Sequence, residues 1–189
     1  MALELEKDIQ EAVTALKEGK LIAYPTESVF GLGCDPQNTK AVEDLIKLKQ
    51  RNPEKGLILI ASSFEQLIPY IDSIDTVNAQ HAKSFWPGAV TWLWPIKPNF
   101  SFTTLLTGKH KTIAVRVSAH PVVVALCNSF EGAIVSTSAN VEGGIPAKTS
   151  QQVLSCFPGK LGKVINANVG DLLQPTPIYD VITKAEIRV

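Results

Sequence analysis

The sequence predicts an α/β protein, and three observations carry that prediction. Strand-like and helix-like segments interleave along the chain. The run LILIA at 57–61 is continuously apolar, as expected of a strand buried on both faces. Residues 6–18 place Ile9, Ala12, Val13 and Leu16 at helical spacing, with Gly19 as a C-terminal cap.

The remaining elements follow in order. LIAY (21–24) reads as a short strand, and a turn rich in hydroxyls and glycines runs on from it. Asn38 or Thr39 caps a helix through Lys49 that carries Val42, Leu45, Ile46 and Leu48 on or near its apolar face. Ser63-x-x-Gln66 has the spacing of a capping box for a helix after LILIA. Another helix covers 75–85 and stops before Pro87. AVTWLWPI (89–96) and TIAVRV (112–117) read as strands, with a polar, locally basic loop at 97–111 between them. His120-Pro121 opens a helix through Asn128, with proline at its first position. AIVS (133–136) is strand-like, 150–157 forms a short helix, and PIYDVIT (177–183) and AEIRV (185–189) supply late strands.

Composition narrows the function. The 189 residues suit one large domain, or one domain with an extension. Basic and acidic residues balance at 18 each, so no whole-molecule field favours a polyanion, and any nucleotide site must be a local cluster. Three scattered cysteines and three histidines argue against structural zinc on spacing and fit a reducing compartment. The polar, acidic start MALELEKDIQ is no signal peptide, and no apolar run has a membrane span's length. A cytoplasmic location is expected.

Several chemistries are absent. None of the Gly-Lys pairs is followed by Ser or Thr, so there is no P-loop, and GLG at 31–33 lacks the third glycine of a dinucleotide fingerprint. Neither G-x-S-x-G nor H-E-x-x-H occurs.

Four local groups remain. Tyr24-Pro25-Thr26-Glu27-Ser28 is either a plain turn after a strand or a strand-end loop whose N–H groups face a ligand. Lys49, Arg51 and Lys55 are either a solvated helix end favoured by the helix dipole or a phosphate clamp. Arg116, inside an apolar strand, either pairs with a carboxylate or points into a site. Ser136, Thr137, Ser138 and Asn140 exceed what one strand end needs for capping. Such a cluster can bind phosphate or carboxylate oxygens.

YPTESVFGLG (24–33), KQR…KGL (49–57), WPGAVT (86–91), AVRVSAHP (114–121), STSAN (136–140) and TPIYDV (176–181), in this order, resemble the Sua5/YciO/YrdC family of L-threonylcarbamoyladenylate synthases, in its short bacterial YrdC form without the extra C-terminal domain of Sua5. The resemblance implies one YrdC-like domain over 1–189, a twisted open sheet with flanking helices and a concave basic cavity. It implies conversion of L-threonine, bicarbonate and ATP, with Mg2+, into threonylcarbamoyl-AMP and pyrophosphate. That product would pass to the tRNA threonylcarbamoyl transferase complex, for N6-threonylcarbamoylation of adenosine 37 in tRNAs reading codons that start with A. By matching position, Lys49 and Arg51 grip ATP phosphates as the catalytic pair and Lys55 assists. Ser138 and Asn140 line the nucleotide site, Thr26 and Ser136 contact threonine, and Arg116 takes the substrate carboxylate or a phosphate. No protein metal ligand is assigned. The chain departs from the family at Gln50 in K-x-R, at Lys55, and at Ile60 where a histidine is common. The other readings are an RNA-binding or ribosome-maturation module, with weak binding of tRNA or double-stranded RNA through the cations at 47–55 and 109–116, and a YciO-like paralogue of altered activity.

Overall fold

The computed structural model describes residues 2–188. Among the described residues five α-helices form: α1 (Ala2–Lys17), α2 (Thr39–Lys49), α3 (Thr76–Lys83), α4 (Pro121–Phe130) and α5 (Ser150–Cys156). Their ends follow local chemistry. Asn38 Oδ1 accepts from the Ala41 N–H at 3.1 Å to start α2, and Asp75 Oδ1 accepts from the Asn78 N–H at 2.9 Å to start α3. Thr149 and Gln152 make a reciprocal capping box on α5. α1 begins earlier than the predicted 6–18, and Leu5 adds contact with the core. Among the described residues no helix is long and apolar enough to cross a membrane.

Nine strands among the described residues form one mixed sheet. They are β1 (Ile22–Pro25), β2 (Phe30–Gly33), β3 (Ile58–Ala61), β4 (Thr91–Pro95), β5 (Thr112–Val117), β6 (Ile134–Ser138), β7 (Lys163–Val164), β8 (Ile178–Asp180) and β9 (Glu186–Arg188). Their order is β7-β1-β2-β6-β3-β5-β4-β8-β9. β6 is antiparallel to both neighbours, pairing Gly31 with Ser138 and Ile58 with Ser136. β3 and β5 run parallel, with Ile60 beside Arg116.

Successive strand residues face opposite sides of the sheet, and the core divides accordingly. Ala23, Phe30, Leu32, Leu59, Val115 and Val135 pack into one cluster with α2 and the tryptophans of β4. Ile22, Tyr24, Ile60 and Ile134 pack on the other side beneath α1 and α4.

Four expectations are corrected. The segment FGLG, taken with the turn before it, is strand β2. Its alternation is the reason: Phe30 and Leu32 enter the first cluster, while Gly31 and Gly33 leave room for the Tyr24 ring, whose hydroxyl lies 3.3 Å from the Val135 carbonyl. Thr137 and Ser138 continue β6 beyond Ser136, because β2 supplies them with a ladder partner. The Ser63–Gln66 box does not form. Gln66 Oε1 accepts instead from the N–H and Oγ of Ser62, both at 3.0 Å, and a single 3-10 turn (Glu65–Leu67) precedes Pro69, which cannot extend a helix. The predicted late strands shorten to β8 and β9, and Val189 lies outside the described residues, while the two-residue β7 was not anticipated.

Candidate functional site

The sheet face that holds Ile134 and Ile60 under α4 continues past the helices. Ser136 and Ser138 follow Ile134 along β6 on that face, and Ile58 precedes Ile60 along β3. There the sheet floors a cavity of about 290 Å³, walled also by the β1–β2 turn, Arg51, Arg116, Pro146 and Pro175–Thr176. Gly31 sits opposite Ser138, and a Cβ there would stand 3.3 Å from Ser136 Oγ. Its absence keeps the floor open.

The Thr26 turn is tightly closed. Thr26 donates to the Val29 carbonyl through its N–H at 3.0 Å and through Oγ1 at 2.7 Å. The carbonyls of Thr26 and Glu27 accept from the N–H groups of Gly170 at 2.9 Å and Leu172 at 3.0 Å. The segment leading to Pro175 is thereby moored beside the cavity.

α2 ends at Gln50, which adopts a left-handed conformation (φ 52°) and reverses the chain. Lys49 and Arg51 consequently leave the same turn towards different carbonyls. Lys49 is 2 % exposed. Its ammonium donates to the Ser138 carbonyl and to the Asn140 carbonyl, the latter at 2.7 Å. Burial, with help from the nearby Arg51 charge, pushes its pKa down to about 8, against an opposing pull from Glu142. Arg51 Nε and Nη2 lie 3.2 and 3.0 Å from the Gly56 carbonyl. Burial also lowers the Arg51 pKa.

Asn140 organises the bend after β6. Its Oδ1 accepts from Ser138 Oγ at 2.5 Å, and its Nδ2 donates to the carbonyls of Val141 at 2.8 Å and Gly144 at 2.9 Å. Lys55 is exposed and paired with Glu142, whose other carboxylate oxygen accepts from the Asn52 N–H at 3.0 Å.

On β5, Arg116 is held from both sides. Its Nη1 donates to Thr176 Oγ1 at 2.8 Å, and its Nη2 lies 3.3 Å from Glu27 Oε2. Glu27 Oε1 accepts from Ser118 Oγ at 2.5 Å. Both alternatives foreseen for Arg116 are therefore present: it pairs with a carboxylate and it lines the cavity. Nearby, His120 Nε2 lies 3.3 Å from the Asn168 carbonyl, and burial lowers its pKa while Glu27 opposes the shift.

Of the eight residues named from the sequence, Thr26, Arg51, Arg116, Ser136 and Ser138 line this cavity together. Lys49 and Asn140 lie behind its rim as supports for the end of β6. Lys55 lies on an adjoining cavity of about 190 Å³ that shares Arg51, Leu57 and Ile58 with the first and includes His110. Ser28, Glu27, Ser118 and Thr176 fall inside the motifs quoted from the sequence but were given no role of their own. The signals were slight: polar residues beside Thr26 and Arg116, and a Pro-Thr-Pro turn far along the chain. Among the described residues no group of three or more His, Cys, Asp or Glu side chains gathers as a metal site.

The arrangement joins a neutralised arginine floor, a row of hydroxyls and a second arginine at the junction of two cavities. It can hold a small carboxylate beside a chain of phosphates. A family model described as telomere recombination (Sua5, YciO, YrdC) matches residues 14–189. A threonylcarbamoyl-AMP synthase of Photobacterium profundum is 48% identical over 183 residues, covering 96% of this chain and 98% of the relative. The crystal structure of P. abyssi Sua5 complexed with L-threonine superposes with a TM-score of 0.85 at 32% identity, covering 93% of this chain and 51% of that one. E. coli YciO shares the fold at a TM-score of 0.80 and 23% identity, with 97% and 91% of the two chains covered.

Proposed function

The chain belongs to the Sua5/YciO/YrdC family, and we propose that it is an L-threonylcarbamoyladenylate synthase working in the cytoplasm, with residues 1–189 acting as one YrdC-like domain. One observation carries this reading: Thr26, Ser136, Ser138, Arg51 and Arg116, drawn from separate segments of the chain, wall a single cavity. The 98% coverage of a relative of that name supports it.

In this reading the threonine carboxylate lies against Arg116, with Thr26 and Ser136 beside it. The amine nitrogen attacks the carbon of bicarbonate-derived CO2 and loses a proton, giving N-carboxythreonine. A carbamate oxygen then attacks the α-phosphorus of ATP, the bond to the β-phosphate oxygen breaks, and pyrophosphate leaves. No protein nucleophile is needed. The step needs alignment and donors for charge building on phosphate oxygens. Arg51 stands where the two cavities meet and would take those oxygens, with Ser138 on the rim and Lys55 beyond. Lys49 and Asn140 would serve the nucleotide by holding the end of β6 in place. ATP would arrive as its magnesium complex, the ion carried by the phosphates. The product would pass to the tRNA threonylcarbamoyl transferase complex, and any contact with tRNA or double-stranded RNA would be weak, given balanced net charge.

Purified protein given threonine, bicarbonate and Mg-ATP should release pyrophosphate only when all three are present. No threonine-dependent release would overturn the reading.

A further inference from the structure

We propose that Glu27 is a positioning residue for threonine, acting through Arg116; the proposal rests on the function just described. Glu27 does not line the cavity, whereas its neighbours Thr26 and Ser28 do. Its carboxylate joins Arg116 of β5 to Ser118 just beyond the strand, accepting from Ser118 Oγ at 2.5 Å and facing Arg116 Nη2 at 3.3 Å. Arg116 is 5 % exposed, and its second anchor is Thr176. A buried guanidinium without a carboxylate is costly, and its direction would be set by whatever anion is near. Glu27 removes both problems. It neutralises the cation before substrate arrives, and it fixes the plane in which the remaining guanidinium protons meet a carboxylate.

The neutral pair has a further effect on selectivity. A lone buried arginine would attract any small anion, including the pyrophosphate that the proposed reaction releases and free phosphate from solution. With Glu27 beside it, Arg116 offers hydrogen bonds more than net charge, and a ligand gains most by matching geometry. Glu27 also touches neither Arg51, which is bonded to Gly56, nor Lys49, which is bonded to the end of β6. Its influence should therefore fall on threonine and spare ATP.

The test compares wild type, Glu27→Gln, Arg116→Ala and the double variant in pyrophosphate release, with ATP affinity measured separately by calorimetry. Glu27→Gln keeps the shape and removes the charge. It should raise the threonine KM about tenfold, as for loss of one charge-assisted contact, and leave ATP affinity within about twofold. Inhibition by free phosphate should tighten in the same variant. In the Arg116→Ala background the Glu27→Gln change should add nothing further, since its route is gone. Active wild type with an unchanged threonine KM in Glu27→Gln, equal losses for ATP and threonine, or full additivity in the double variant would each overturn the assignment of Glu27 alone. A wild type that releases no pyrophosphate with threonine overturns it together with the proposed function.

Discussion

Lys49 ties the end of α2 to the bend after β6, its ammonium donating to the Asn140 carbonyl at 2.7 Å. The lysine is therefore a structural member as well as a charge. Its folded pKa of about 8 lies below the ordinary 10.5, so between those values the unfolded chain holds a proton that the folded one has released. The stability penalty is complete below about 8 and fades as pH rises towards 10.5. Urea midpoints of the wild type should accordingly be pulled upward by this group across that window, and Lys49→Met should remove the contribution. Identical pH slopes in the two proteins would contradict a charged, buried Lys49.

Arg51 lines both cavities and donates to one backbone carbonyl. Arg51→Ala should slow pyrophosphate release by about a hundredfold, the scale of losing one preorganised donor to developing charge. Folding should suffer little. Arg51→Lys should recover part of the rate, because the charge returns without the planar fork. Near-normal turnover in Arg51→Ala would remove it from the phosphate site.

Gln50 occupies a left-handed position, φ 52°, that glycine adopts without a Cβ clash. Gln50→Gly should stabilise the chain by about 1 kcal/mol, a rise in Tm of about 3 °C for a protein of this size. A fall in Tm in a thermal scan would show that the glutamine side chain contributes more than its backbone strain costs.

Gly33 meets the opposite demand. A Cβ there would stand 2.7 Å from the Val135 carbonyl oxygen and 2.8 Å from Tyr24 Cε1, whereas one at Gly31 would find its nearest neighbour at 3.2 Å. Gly33→Ala should cost about 1–3 kcal/mol, and Gly31→Ala less, with its main effect on substrate binding beside Ser136. Chemical denaturation of the pair gives the ranking; equal, small losses would refute the close approach.

Most of the fold was legible because its signals are local. Asn38, Asp75 and Pro121 sit where the helices begin, and LILIA contains β3, buried from Leu59 onward and half-buried at Ile58. β2 was missed because glycine is a poor strand former by propensity. The signal lay in its period of two: Phe and Leu alternate with Gly because Tyr24 needs the vacated face. Ser63–Gln66 misled for a different reason, since the box spacing was present without a helix that could continue past Pro69. For the site, the hydroxyls and arginines were visible as residue types. Their division between lining and support was not, because it depends on where β6 ends and on which carbonyls the Lys49 ammonium can reach. Glu27 and Thr176 were obscure in the sequence, being partners of Arg116 only through folding.

The place of β6 in the strand order has a consequence for how the molecule assembles. β6 zips between β2 and β3, and Arg116 waits for Thr176. Each of these pairings closes a long stretch of chain, which makes them slow steps in folding. A ribosome releasing this protein would expose α1, β1 and β2 well before the strand that completes their sheet. Until β6 emerges, β2 is a bare edge bearing two glycines. Ligand-binding competence should thus arrive late and all at once, and a nascent chain lacking the segment around Thr176 should carry an open, unfinished floor.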